Sequence, residues 1–252
     1  MKMTGNTILI TGGGSGIGRR LAEEFHQRGN IVIIAGRRPD RLHAVAAANP
    51  GMIAVELDVT DPADILAVTE ALLAAHPALN VLINNAGIML VDDVAGPVDE
   101  SLLVATIDTN LGGPIRMAAA LAGHLKTRTD AVIVNVTSIL GFVPLVPTAI
   151  YSATKAALHS YTQSQRYAFR SSGIQVVELA PPWVRTELLN STEEERAMPL
   201  DAFIDAALAQ LASGVDEVLV GDAVAMRANP GPGEAALITV FNDQVASGPP
   251  LG

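Results

Sequence analysis

Tyr151 and Lys155 stand four residues apart in the stretch IYSATKAALHSYTQS, residues 150–164. This stretch has the spacing of an amphipathic helix, and side chains four residues apart share one helix face. The ammonium of Lys155 would therefore lie within reach of the Tyr151 phenol or of a ligand bound beside it. A free tyrosine has a pKa of about 10, and a neighbouring cation favours its phenolate. The pair could thus exchange a proton with a bound substrate near neutral pH.

The elements that would position this pair alternate between strands and helices. Apolar, β-branched runs predict seven strands buried on both faces, at residues 7–11, 31–35, 52–57, 80–84, 131–136, 174–180 and 217–220. Helical patterns lie between them, at residues 16–28, 41–48, 62–76, 101–125, 151–170 and 200–211. The alternation predicts an α/β fold, a Rossmann-like doubly wound parallel sheet flanked by helices. No linker divides the chain, so we expect one domain over residues 1–252.

A glycine-rich turn, TGGGSGIG at residues 11–18, follows the first predicted strand and precedes the first helix. Glycines there allow the backbone to approach a pyrophosphate, which would meet the free N–H groups of the helix. An acidic residue at the end of the second strand would bind the ribose of NAD(H), whereas arginine accommodates a 2′-phosphate. This chain has Gly36 there, followed by Arg37 and Arg38. The pattern predicts NADP(H) as the cofactor, with Asp58 after the third strand available to the adenine amino group.

Taken in order and spacing, the motifs resemble the single-domain short-chain dehydrogenase/reductase family over nearly the full chain. They are TGGGSGIG (11–18), LDV (57–59), NNAG (84–87), Asn110, Ser138, YSATK (151–155) and PPWVRTEL (181–188). Within the family, ELAPPWVRTEL and the residues after it are similar to a bacterial branch labelled with D-alanine esterification of teichoic acids. The motifs indicate redox chemistry and not acyl transfer, so we take no function from that label.

The resemblance implies a catalytic set of Ser138, Tyr151, Lys155 and Asn110. Tyr151 would donate the proton in carbonyl reduction and accept it in the reverse direction, while Lys155 would lower the pKa of the phenol and hold the nicotinamide ribose. Ser138 would bond the substrate oxygen, and Asn110 would hold a water on a proton relay to Lys155. The expected cofactor contacts are Gly12, Ser15, Gly16, Ile17, Gly18, Arg37, Arg38, Asp58, Val59, Asn84, Ala86, Gly87, Tyr151, Lys155, Pro181, Val184 and Thr186.

The chain departs from the family pattern at two places near the expected cofactor. Pro181-Pro182 replaces the usual Pro-Gly, which stiffens the backbone and removes a donor. Ser15 stands where some NADPH-preferring relatives have a basic residue, so the cofactor prediction depends mainly on the arginine pair. After Asn110, the run Gly112-Gly113-Pro114 predicts a break or kink in the helix over 101–125.

The segments expected to face the substrate are apolar. We predict a substrate pocket formed by Ile139, Leu140, Leu145, Trp183 and Leu188, with residues 183–199 as a mobile lid. Such a pocket suits a hydrophobic ketone or aldehyde, or the corresponding alcohol. The alternatives are an NAD(H)-linked dehydrogenase, a reductase of 3-oxoacyl thioesters or steroid-like substrates, and a redox sensor without turnover. The net charge of −10 disfavours an acidic carrier protein, and the intact catalytic set disfavours a sensor.

Composition narrows the other classes of partner. The same net charge argues against nucleic acid or an anionic membrane, and the absence of cysteine excludes disulfides and thiolate chemistry. The histidines lack metal-ligand spacing, so we expect no metal. The first residues do not form a signal peptide, so a cytoplasmic location is expected. The tail, residues 228–252, reads as a partly Pro/Gly-rich surface element. The family resemblance implies a homodimer or homotetramer.

Overall fold

Seven parallel strands form one sheet in a computed structural model that describes residues 1–228 and 231–248. The strands are β1 (Thr7–Thr11), β2 (Ile31–Gly36), β3 (Ile53–Glu56), β4 (Val81–Asn84), β5 (Val132–Val136), β6 (Gln175–Ala180) and β7 (Glu217–Leu219). Their order is β3-β2-β1-β4-β5-β6-β7, which reverses direction between β1 and β4. The predicted doubly wound parallel sheet is thereby confirmed, and the reversal opens a crevice at the carboxyl ends of the central strands.

Helices cover both faces of the sheet. They are α1 (Gly16–Gln27), α2 (Pro39–Ala48), α3 (Pro62–Ala75), α4 (Glu100–Ile107), α5 (Gly113–Leu125), α6 (Ala149–Phe169), α7 (Leu200–Ser213), α8 (Ala223–Arg227) and α9 (Glu234–Ala246). Successive residues of a strand point to opposite faces. In β1, Ile8 and Ile10 therefore pack with Phe25 of α1 and Phe203 of α7, whereas Leu9 joins the opposite core with residues of α3 and α5.

A buried chain of amide and hydroxyl groups ties the middle of the sheet to α6. The Asn84 side chain donates to Asn135 Oδ1 at 2.9 Å, and Asn135 Nδ2 donates to Thr162 Oγ1 and Gln165 Oε1, each at 3.0 Å. Buried polar groups are costly when unpaired, so these contacts hold β4, β5 and α6 in one arrangement. The residues that follow β4 and β5 are thereby fixed relative to Tyr151 and Lys155 on α6.

The helix predicted over 101–125 is interrupted at the predicted place, and the interruption is a π-helical turn. A five-residue π-helical turn, Asp108–Gly112, joins α4 to α5 and holds Asn110 completely buried. Pro114 lies in the first turn of α5, where a missing N–H is tolerated. A Cβ on Gly113 would lie 3.0 Å from Val59 Cγ2, so glycine permits the close approach of α5 to the loop after β3.

Two segments follow β6 and depart from the alternation of strands and helices, the loop 183–199 and the tail after residue 228. Residues 183–199 form a loop closed at its base, because Met198 N donates to Trp183 O at 2.8 Å and Arg185 N donates to Met198 O at 2.9 Å. The described part of the tail lies at the surface, as predicted, since none of its residues is fully buried, but it also contains a helix that was not predicted, α9, which lies over the cleft. Residues 229–230 and 249–252 of that prediction lie outside the described residues.

No helix in the described ranges combines the length and the apolar run needed to cross a bilayer.

Candidate active site

A cleft of about 830 Å³ lies at the carboxyl ends of the strands, where the sheet reverses direction. Most of the predicted residues line it. On the cofactor side these are Gly12, Ser15, Gly16, Ile17, Arg37, Arg38, Val59, Ala86, Gly87, Pro181, Val184 and Thr186. On the substrate side they are Ser138, Ile139, Leu140, Leu145, Tyr151, Lys155, Trp183 and Leu188.

The glycine turn is held against the NNAG segment by the side chains of Asn85 and Thr11. Asn85 Nδ2 donates to Thr11 O at 3.0 Å, and Thr11 Oγ1 accepts from Asn85 N at 3.0 Å and from Ala86 N at 3.1 Å. A Cβ on Gly12 would lie 2.9 Å from Ala86 Cα, and Gly12 has a φ of +69°. Both observations require glycine at this position. The turn therefore presents bare backbone to the cleft.

The amino end of α1 opens directly into this cradle. Its N-cap is Ser15, whose side chain makes no capping hydrogen bond. The first turn of α1, which lies within the described residues, contains no acidic side chain. The free N–H groups of such a turn bind anions, and the helix dipole adds a partial positive charge. The residues present thus fit the pyrophosphate of a nicotinamide dinucleotide.

Three arginines stand at the end of the cleft that follows β2. Arg37 and Arg38 are exposed, and Arg38 Nη2 donates to Ser15 Oγ at 3.1 Å. Arg41 of α2 forms an ion pair with Glu187, whose carboxylate also lies 4.0 Å from Arg38 Nη1. No carboxylate occupies the end of β2, since that residue is Gly36. This end of the cleft suits a phosphate group bound beside the adenosine ribose.

Asp58 lies behind this end of the cleft and does not line it. Burial opposes ionisation, but hydrogen bonds from Thr60 N and Thr60 Oγ1, together with the charge of Arg37, lower the pKa of Asp58. The carboxylate is thus occupied by the turn that it caps. Its contact with an adenine amino group stays a prediction.

Tyr151 and Lys155 are both buried on one face of α6, as their spacing predicts. The Lys155 ammonium lies 5.5 Å from the centroid of the Tyr151 ring and donates to Val136 O at 2.8 Å. Burial raises the pKa of Tyr151 to about 12, although the Ser138 hydroxyl opposes the rise. Burial also lowers the pKa of Lys155 to about 8. The net direction for the phenol is opposite to the one expected from the sequence, because desolvation outweighs any effect of the cation.

With its pKa raised, the Tyr151 phenol keeps its proton at neutral pH and is a donor. Ser138 stands at the end of β5 and is nearly buried. Its Oγ accepts from Leu140 N at 3.1 Å, which leaves the hydroxyl hydrogen free to donate. Two hydroxyl groups, one from a strand end and one from a helix, therefore converge on one wall of the cleft.

Asn110 lies behind the cleft and fastens the segment that follows NNAG. Its Nδ2 donates to Ile88 O and its Oδ1 accepts from Ile88 N, each at 2.8 Å. A Cβ on Gly87 would lie 3.3 Å from Asn110 Oδ1 and 3.8 Å from Lys155 Nζ. A side chain at position 87 would thus enter the space between Asn110 and Lys155, in close contact with the Asn110 amide.

The substrate side of the cleft is apolar. Ile139, Leu140 and Leu145 form a buried cluster with Tyr151 and Ala223. Trp183 begins the loop 183–199 and packs under the Arg196 guanidinium, whose carbon lies 5.0 Å from the ring centroid.

Four predicted residues do not line the cleft: Gly18, Asp58, Asn84 and Asn110. Gly18 packs against Asn85, and Asn84 belongs to the amide chain within the sheet. Sequence reasoning missed further lining residues, among them Asn85, Glu187, Met226, Phe241 and Val245. Asn85 could have been found inside the NNAG motif, and the four-residue spacing of Phe241 and Val245 was a helical signal in the tail. Among the described residues, no cluster of three or more His, Asp or Glu side chains is placed to hold a metal ion.

Comparisons with known proteins agree with this geometry. Residues 6–197 match the family model described as short chain dehydrogenase. The chain is 40% identical over 199 residues to the Uncharacterized oxidoreductase DltE of Bacillus subtilis (strain 168), covering 79% of each protein. A short chain dehydrogenase from Burkholderia cenocepacia J2315 in complex with NADP superposes with a TM-score of 0.82 at 27% identity, covering 98% of this chain and 100% of that one.

A second solved structure of similar fold carries the other cofactor. It is the 3-ketoacyl-(acyl-carrier-protein) reductase from Brucella melitensis complexed with NADH, with a TM-score of 0.79, 29% identity, and coverage of 86% of this chain and 98% of that one. The family match spans the glycine turn, the NNAG segment, Ser138 and the Tyr151–Lys155 pair. The chain belongs to the short-chain dehydrogenase family of oxidoreductases.

Proposed function

We propose that this protein is an NADPH-dependent carbonyl reductase that acts on hydrophobic ketones or aldehydes and, in reverse, on the corresponding alcohols. The observation that carries the proposal is the Tyr151 phenol, protonated at neutral pH beside the Ser138 hydroxyl in an apolar wall of the cleft. When bound, NADPH supplies the hydride.

The side chains divide the remaining work. Tyr151 gives its proton to the carbonyl oxygen as hydride arrives at carbon, which avoids an alkoxide in a low-dielectric site. Ser138 donates a hydrogen bond to the same oxygen and stabilises the charge that develops there. Lys155 holds the nicotinamide ribose and supplies a cation below the phenol. Asn110 keeps the segment after NNAG in place and, as the family resemblance implies, holds a water that connects Lys155 to solvent.

NADPH is preferred in this proposal because of charge at the mouth of the cleft. Gly36 offers no carboxylate to a ribose 2′-hydroxyl, whereas Arg37, Arg38 and Arg41 supply cations around the same position. An NAD(H)-linked dehydrogenase would leave these arginines without an anion other than Glu187.

The substrate class follows from the lining and size of the cleft. A pocket for one small ligand has a volume of about 300–1,000 Å³. A cleft of about 830 Å³ that also receives a dinucleotide leaves room for a compact apolar substrate. This supports a simple hydrophobic carbonyl compound over a 3-oxoacyl thioester on a carrier protein, since the chain carries a net charge of −10.

Assembly, domain organisation and location complete the proposal. Val104 and Ile107 of α4 are 54% and 41% exposed, an apolar strip that a second copy would cover in a homodimer or homotetramer. We treat residues 1–252 as one domain in which loop 183–199 acts as a lid. The proposed location of the protein is the cytoplasm, where NADPH is regenerated.

The test is an initial-rate assay at pH 7 with acetophenone-type and aliphatic ketones, with NADPH and NADH side by side. Turnover with a marked NADPH preference is the expected result. A preference for NADH would refute the role of the arginines and leave the catalytic assignment intact. Nucleotide binding without turnover of any ketone would favour a redox sensor.

A further inference from the structure

Helix α9 lies on the cleft although it is outside the residues that match the family model, which end at 197. We infer that α9 is a second wall of the substrate pocket, and that Phe241 and Val245 on this helix set the length of the apolar group that the pocket accepts. The inference depends on the proposed function for the nature of the substrate.

The apolar face of α9 packs against the buried cluster that contains Tyr151. Phe241 and Val245 are four residues apart, so they share one helix face. Both contact the buried cluster that contains Tyr151, and both line the cleft. A carbonyl compound with its oxygen at Tyr151 would direct its apolar group along this cluster.

Hydrogen bonds fasten α9 to the segment between Ser138 and Tyr151. Asn242 Oδ1 accepts from Val146 N at 2.6 Å, and Asn242 Nδ2 donates to Pro144 O at 3.0 Å. The Asn242 side chain thus pairs two backbone groups of the segment that connects Ser138 to Tyr151. This contact ties the helix that carries Phe241 to the segment between Ser138 and Tyr151.

The end of α9 also meets the loop 183–199. A Cβ on Gly248 would collide with the Arg196 guanidinium, which in turn covers Trp183. The pocket is therefore bounded by two elements, the loop on one side and α9 on the other. Every residue of α9 lies within the described ranges, and none of them is fully buried. A helix packed this lightly leaves room for substitution at Phe241 without disturbing the core.

The first test compares the wild type, Phe241→Ala and Phe241→Trp on methyl ketones from butanone to undecanone. One methylene in an apolar pocket changes kcat/KM by about tenfold or more. Phe241→Ala should shift the preferred chain length upward and raise kcat/KM for the longest ketones at least about tenfold, and Phe241→Trp should shift it downward. A loosened helix would not give opposite shifts in the two variants. The control is Val240→Ala, since Val240 is 53% exposed on the same helix and should leave the profile unchanged.

A binding measurement separates this inference from the proposed function. Trp183 is the single tryptophan of the chain and lines the cleft, so its fluorescence reports ketone binding without turnover. If the wild type binds ketones with an affinity that depends on chain length but reduces none of them, the proposed reductase activity is refuted. The role of α9 is then tested by the Kd profiles alone. The outcome that would overturn the role of α9 is identical chain-length profiles, either in rate for the wild type and both Phe241 variants or in Kd for the wild type and Phe241→Ala, which keeps Trp183 as its single tryptophan. Failure of every ketone to bind would overturn both.

Discussion

Lys155→Met should abolish turnover and should be most favourable for stability, relative to the wild type, at neutral pH. The ammonium of Lys155 is buried, with Val136 O as its hydrogen-bond partner, and burial lowers its pKa from 10.5 to about 8. A tenfold change in proton affinity corresponds to about 1.4 kcal/mol, so this difference makes the charged lysine about 3 kcal/mol less favourable in the folded state than in the unfolded one.

The sign of the effect depends on pH. Below pH 8 both states bind the proton, and the cost of burying the charge is fully present. Between pH 8 and pH 10.5 the folded protein releases the proton while the unfolded chain keeps it, so the stability of the wild type rises relative to the variant. Tyr151, with its pKa raised from 10.0 to about 12, has the opposite effect in a higher range and is common to both proteins.

Urea unfolding of the cofactor-free proteins, followed by circular dichroism at pH 7 and pH 10, measures the difference. The free energy of unfolding of Lys155→Met relative to that of the wild type should fall by about 2–3 kcal/mol between these two pH values. Lys126→Met is the matched control, because Lys126 is exposed and should show no such change. Parallel pH dependence of the wild type and Lys155→Met would refute the buried charged lysine.

Three further changes test other parts of the site. Tyr151→Phe should retain NADPH binding and reduce kcat by at least about a hundredfold, the usual contribution of a general acid, and near-normal kcat would refute the donor assignment. Glu187→Gln should lower the KM for NADPH by up to about fivefold, because it frees Arg41 from an exposed ion pair, and should leave the KM for NADH unchanged. Equal effects on both cofactors would contradict this contact. Asn135→Ala should reduce the free energy of unfolding by about 2–3 kcal/mol, since it leaves buried partners such as Asn84 unpaired; a loss below about 1 kcal/mol in urea unfolding would contradict it.

The central strands were predictable because they are buried on both faces and form continuous apolar runs in the sequence. Each of the seven predicted runs coincides with one observed strand, and no bound differs by more than one residue. The catalytic pair on α6 was predictable for a related reason, since helical spacing alone places Tyr151 and Lys155 on one face. What spacing does not contain is burial, and burial decides the pKa of both side chains.

The tail and the π-helical turn show what sequence reasoning left undefined, namely a helix in the first and the type of interruption in the second. Gly231, Pro232 and Gly233 at the start of the final stretch indicate a turn, which hid the helix that follows. No described residue of α9 is fully buried, and Phe241 and Val245 on this helix pack against the cluster around Tyr151, which is distant in sequence. The π-helical turn likewise depends on contacts made after folding, such as that of Gly113 with Val59.

The π-helical turn acts as a one-residue insertion within an otherwise continuous helical rod, Glu100–Leu125. One extra residue rotates everything beyond it by about 100° relative to an uninterrupted α-helix. The rod before the turn can thus face α6, while the rod after it faces the sheet through Met117 and Leu121. Deleting a single residue between 108 and 112 would bring the two halves into phase, and one of the two packing surfaces would then point to solvent.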